Sequence, residues 1–118
     1  MASIQQVDLN DRIKNDTFKS VQFTLKDESS VAIDLTGASI QIQFRYRSKT
    51  GAIVKDVSVA SGITVATPAS GILVLDAFTP VDWEVDTYYY DVQITFADAT
   101  IQTPVWGTVK VLQDVTDN

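Results

Sequence analysis

Side chains able to do chemistry are sparse in this chain of 118 residues, and they fall into a few groups. Tyr88-Tyr89-Tyr90 stand in a row before Asp91; aromatic faces stack on sugar rings, so outward tyrosines beside a carboxylate are a candidate glycan or receptor site. Arg45 and Arg47 alternate along one stretch with Lys49 just beyond, a candidate basic patch for an acidic neighbour. Asp82, Glu84 and Asp86 form a string of carboxylates, the one arrangement here related to glycosidase chemistry. Trp83 and Trp106 are the large anchors. Each group also has a plainer reading. Two of the tyrosines can be core residues, one of them bonding a loop carbonyl as in a tyrosine corner. The arginines can be a solvated face with weak surface ion pairs. A tryptophan can plug one end of a core.

Composition removes most catalytic designs. The chain has no His and no Cys, so the commonest general base, the commonest metal ligand and any thiolate nucleophile are missing together. Without such partners the carboxylate string does not make a credible acid/base pair, and no catalytic residue or cofactor is expected. Asp8 and Asp11 near one end, with Asp114 and Asp117 near the other, could offer oxygens to Ca²⁺. That ion needs six to eight of them, and no loop has the spacing of a calcium motif, so no metal site is expected. A net charge of −6 repels phosphate backbones and argues against nucleic acid. No apolar run approaches a membrane span, and Met1 to Gln6 lacks the features of a signal peptide, so folding in a reducing cytoplasm is expected.

The elements that must position these groups are strands. From Tyr88 to Phe96 a period of two puts Tyr88, Tyr90, Val92, Ile94 and Phe96 on one face and Tyr89, Asp91, Gln93 and Thr95 on the other. From Ala38 to Arg47 the same period puts Ile40, Ile42, Phe44 and Tyr46 opposite Gln41, Gln43, Arg45 and Arg47. Further strands are predicted over residues 18–26, 31–35, 53–59, 63–66, 72–78 and 100–112, divided by turns rich in Gly, Ser, Asp and Thr. Over 72–78 the apolar run leaves open whether Leu73 and Leu75, or Ile72 and Val74, face inward. Lys55 in an otherwise apolar row suggests an edge. Pro104 and Gly107 inside the last strand predict a bulge or an edge. The segment from Thr79 to Val85 is the one place for a short helical turn, near residues 80–85, with Asp86 a candidate for the left-handed conformation. The fold expected is an all-β, antiparallel, immunoglobulin-like β-sandwich of two sheets. Residues 18–118 form its single domain, and residues 1–17 form an N-terminal arm or edge strand.

The punctuation of the chain carries a resemblance. Asp34-Leu35-Thr36-Gly37 precedes a long alternating strand, and Gly62-Ile63-Thr64 is followed by Gly71 opening another. Thr87-Tyr88-Tyr89-Tyr90-Asp91-Val92-Gln93 comes third, and Gly107-Thr108-Val109-Lys110-Val111 with Asp114-Val115-Thr116 comes last. In this order the chain, over residues 17–116, resembles the immunoglobulin-like domain at the N-terminus of tailed-phage baseplate upper proteins. It departs in having Asp86 where that family has Gly, and in its longer polar N-terminus. The resemblance implies a non-enzymatic structural component of a tailed-phage virion, assembled in the host cytoplasm in many copies or as a homo-oligomer. Its partners would be other virion proteins, with no membrane and no small-molecule substrate. A capsid decoration or head-fibre role is the alternative within that class. A carbohydrate-binding or host-adhesion module is the rival, which outward aromatics beside Asp or Gln in a shallow groove would favour. The contact residues expected are Arg45, Arg47, Tyr89 and Trp106, with Ile4, Val7 and Leu9 of the N-terminal arm.

Overall fold

In the computed structural model, which describes residues 5–14, 16–79 and 83–113, the two alternating stretches pair with each other at the centre of the molecule. The strands are β1 (Gln5–Gln6), β2 (Arg12–Ile13), β3 (Val21–Thr24), β4 (Ser39–Tyr46), β5 (Ile53–Val59), β6 (Gly62–Thr67), β7 (Ile72–Leu75), β8 (Thr87–Thr95) and β9 (Ile101–Leu112). A 3₁₀ turn, Pro68–Ser70, separates β6 from β7. The chain is all-β. Its hydrogen-bonded path runs β1-β9-β8-β4-β5-β6-β7-β3, with β2 also on β9.

Register explains why β4 and β8 sit centrally. Ile40 faces Ile94, Ile42 faces Val92, Phe44 faces Tyr90 and Tyr46 faces Tyr88, so every inward residue meets an inward residue. Seven of these eight are buried, and each gains roughly 1.5–3 kcal/mol by leaving water. The curl of the sheet brings β3, β6 and β7 over this face. Phe23 of β3 lies 5.9 Å from the Tyr90 ring, and Ile63, Leu73 and Leu75 are buried beneath. The inward parity of β7 is thus Leu73 and Leu75. Trp83 is buried at the end of the core, stacked on Tyr88 at 4.5 Å and 5.4 Å from Phe44.

The sheet is not antiparallel throughout, as the sequence suggested, but mixed. β1 and β2 run parallel to β9 because the N-terminal segment adds to its edge in the same direction. β5 and β6 are parallel at Ser58↔Gly62 and Val59↔Ile63, because Ala60 (φ 67°) and Gly62 (φ 107°) loop the chain round to resume its former direction. The stretch 31–35 forms an isolated bridge, Lys26↔Ala32, rather than a strand. The helical turn expected near residues 80–85 falls in part on 80–82, outside the described residues; the 3₁₀ turn lies earlier, where Pro68 opens it and Gly71 (φ 68°) closes it. Asp86 does not take the left-handed angle; Arg47 does (φ 68°).

Pro104 does sit at a bulge. Val92 pairs with Val105 and Ile94 with Gln102, so β9 spends one residue more than β8 across residues 102–105.

Tyr90 is 3% exposed and donates a hydrogen bond from its hydroxyl to the Val7 carbonyl at 2.5 Å, whereas Tyr89 points to the other face and is half-buried. Tyr90→Ala is therefore expected to cost about 3–5 kcal/mol, and Tyr89→Ala much less. Thermal melts of the two variants check this; equal small shifts would contradict the assignment of faces.

Candidate functional site

The outward residues of β4, β8 and β9 form a second, polar surface. Cross-strand pairing sets Gln43 beside Asp91 and Asp91 beside Trp106, with Arg45 beside Tyr89 in the adjacent row. Together with Lys49 and Thr103 they line an open depression of about 220 Å³. Each lining group is delivered by a local rule. Tyr89 and Asp91 face out because Tyr88, Tyr90 and Val92 face in. Thr103 reaches the same depression because the extra residue at the Pro104 bulge shifts the alternation of β9. Lys49 comes from the β4–β5 turn, with its Nζ 3.7 Å from the centroid of the Trp106 ring.

Arg45 is anchored from its backbone side. Its Nη1 donates to the Gly51 carbonyl at 2.9 Å and its Nη2 to Gln43 Oε1 at 3.3 Å. The Asp91 carboxyl is pushed up from its ordinary value by desolvation, with the nearby Arg45 charge pulling the other way. The Tyr89 hydroxyl, the Trp106 indole N–H, the Thr103 hydroxyl and the Asp91 carboxylate have no hydrogen-bond partner among the described residues. Two aromatic side chains and a set of unpaired donors and acceptors thus converge on one shallow surface.

A second depression, of about 390 Å³ near Lys55, Asp56, Asp76 and Phe78, is larger but already satisfied internally. Asp56 accepts from Gln41 and Gln43, Asp76 accepts from Thr64, and Lys55 lies over the Phe78 ring at 4.6 Å.

Of the residues singled out in the sequence, Arg45, Tyr89 and Trp106 come together. Arg47 does not join them. Its left-handed backbone takes it off the strand, and its Nε donates to Asp86 Oδ2 at 2.6 Å while its guanidinium covers Tyr46. Ile4 lies outside the described residues, as do Asp82, Asp114 and Asp117. Val7 and Leu9 pack against the chain's own core, and their N–H groups donate to the Trp106 and Thr108 carbonyls, both at 2.8 Å. Thr103 was not legible, since its position depends on the bulge. Among the described residues no group of three or more acidic side chains is placed to hold a metal ion.

No family model matches this chain. No curated protein matches it either. A solved structure does: the chain is similar to the crystal structure of CopC from Methylosinus trichosporium OB3b, at 17% identity and a TM-score of 0.48, covering 90% of this chain and 89% of that one. The virion role expected from the resemblance is withdrawn: none of these comparisons brings up a baseplate, tail or capsid protein.

Asp8 ties the N-terminal segment to β9 beside this site, accepting from the Thr108 N–H at 3.1 Å and its hydroxyl at 3.2 Å. Hydrogen bonds from Gln6, and then from Thr108, hold its carboxyl below its ordinary value of 3.8. A depressed carboxyl stabilises the fold above its unfolded pKa, and that contribution is lost as pH falls through the folded value. Amide protection at Val7 and Leu9 is therefore expected to fall below pH 3.8, and to be low at every pH in Asp8→Asn. The same pH profile in both proteins would contradict the tie.

Proposed function

We propose that this chain is a non-catalytic carbohydrate-recognition module, binding through the outer face of β4, β8 and β9. One observation carries the reading: Tyr89 and Trp106 open onto the same shallow depression as Gln43, Arg45, Asp91 and Thr103, with several polar tips unpaired among the described residues. Sugar rings present a C–H face that stacks on an aromatic face and a rim of hydroxyls that both donate and accept. A surface with aromatic faces and mixed donors and acceptors complements both. The openness suits a segment of a longer chain lying across the strands better than an enclosed small molecule. Glycoside hydrolysis needs two carboxylates flanking one bond, and the lining offers one, Asp91.

We read the scaffold as an immunoglobulin-like β-sandwich, with β9-β8-β4-β5 as one layer and β6-β7-β3 as the other. The contact of Phe23 with Tyr90 across the core and the short β5–β6 junction support it. Binding then needs no backbone movement, since strands carry every lining residue except Lys49.

Screening against an array of immobilised plant, bacterial and animal saccharides is expected to retain the protein on a subset. Trp106→Ala and Tyr89→Ala should each weaken that retention more than about tenfold, as truncating an aromatic anchor does. An empty array, or retention indifferent to both substitutions, would overturn the reading.

A further inference from the structure

The charges around the depression point to the class of saccharide. Its lining contains two cations, Arg45 and Lys49, and one carboxylate, Asp91, so it is locally positive on a chain of net charge −6. The ion pair made by the described residues joins Arg47 to Asp86, away from the depression; neither Arg45 nor Lys49 has a carboxylate within salt-bridge distance among those residues. Arg45 spends two of its five N–H donors on neutral oxygens, of Gly51 and Gln43, and the others have no partner among the described residues. Lys49 has its ammonium on the Trp106 ring instead.

Resting on the reading above, we propose that the ligand is an acidic saccharide, one whose sugar ring carries a carboxylate. The sugar displaces the Lys49 ammonium from the face of Trp106, and the ammonium moves to the sugar's carboxylate. The exchange is inexpensive. A cation over a ring at the surface is a weak contact, and Lys49 sits at an exposed turn on a flexible stem. A charge-assisted hydrogen bond to a carboxylate replaces the lost contact. Arg45, already aimed by its two bonds, is the second positive partner. Asp91 and Gln43 then face the hydroxyls.

The test is isothermal titration with uronate oligosaccharides and with the same oligosaccharides after carboxyl reduction, which keeps size and linkage and removes the charge. The acidic forms are expected to bind about tenfold tighter at low salt, with the ratio shrinking as salt rises. Lys49→Gln, at the exposed turn, should reduce that ratio severalfold. Equal binding of acidic and reduced forms would overturn the proposal while leaving carbohydrate recognition standing. So would a ratio unchanged in Lys49→Gln. Binding of neither form would remove both readings, and preference for a polyglutamate peptide over either saccharide would replace the ligand class with an acidic protein segment.

Discussion

Tyr90 has to bury a large ring and also satisfy a hydroxyl, and both demands are met at one point. The ring stacks on Phe44 at 5.4 Å and leans on Phe23 at 5.9 Å, which joins the two sides of the curled sheet. The hydroxyl would cost about 1–3 kcal/mol if buried without a partner. It donates to the carbonyl of Val7, so the N-terminal segment must lie along β9 at that level. Burial pushes the ionisation of Tyr90 well above its ordinary range, and the phenol stays a neutral donor. The residue paired with Tyr90 on β9 is Gly107, where a Cβ would stand 1.8 Å from the Val7 oxygen. Glycine at 107, the tyrosine at 90 and the docked segment are therefore one device.

The outer face inherits its order from this device. With Tyr90 pinned inward, Tyr89 and Asp91 have only the other side of the strand. Pairing on both sides of β8 then fixes which residues stand next to them, Arg45 and Gln43 on β4 and Trp106 on β9. Trp106 is held from its far side as well, through the bond from the Val7 N–H to its carbonyl. A surface of this kind is preorganised by backbone ladders, so binding need not spend energy on ordering it. The lining residue outside those ladders is Lys49, on the exposed β4–β5 turn.

Much of this was legible from residue order, because burial imposes a period of two on any strand with one dry face. The faces of β4 and β8, the inward Tyr90, the outward Tyr89 and the irregularity at Pro104 all follow from local pattern. What was not legible depends on which strands lie side by side. Thr103 joins the depression through a bulge whose offset shows only in the pairing with β8. Lys49 meets Trp106 across 57 positions of sequence. Arg47 leaves its strand because its backbone turns left-handed. The scattered apolar residues of the N-terminal segment left open an arm for a neighbour or an edge strand, and Val7 and Leu9 serve the chain's own sheet, along the edge of β9. The motifs that carry the resemblance are turn residues and strand starts, which specify a fold and leave the binding face free to differ.

The most direct test is to follow the indole N–H signals of Trp83 and Trp106 by nuclear magnetic resonance while adding a saccharide. Trp83 lies 6% exposed in the core and serves as an internal control. The account predicts that the Trp106 signal moves together with the amides of Tyr89, Asp91 and Thr103, while Trp83 stays still. A saccharide that binds and leaves Trp106 unmoved, shifting residues around Lys55 and Phe78 instead, would contradict it.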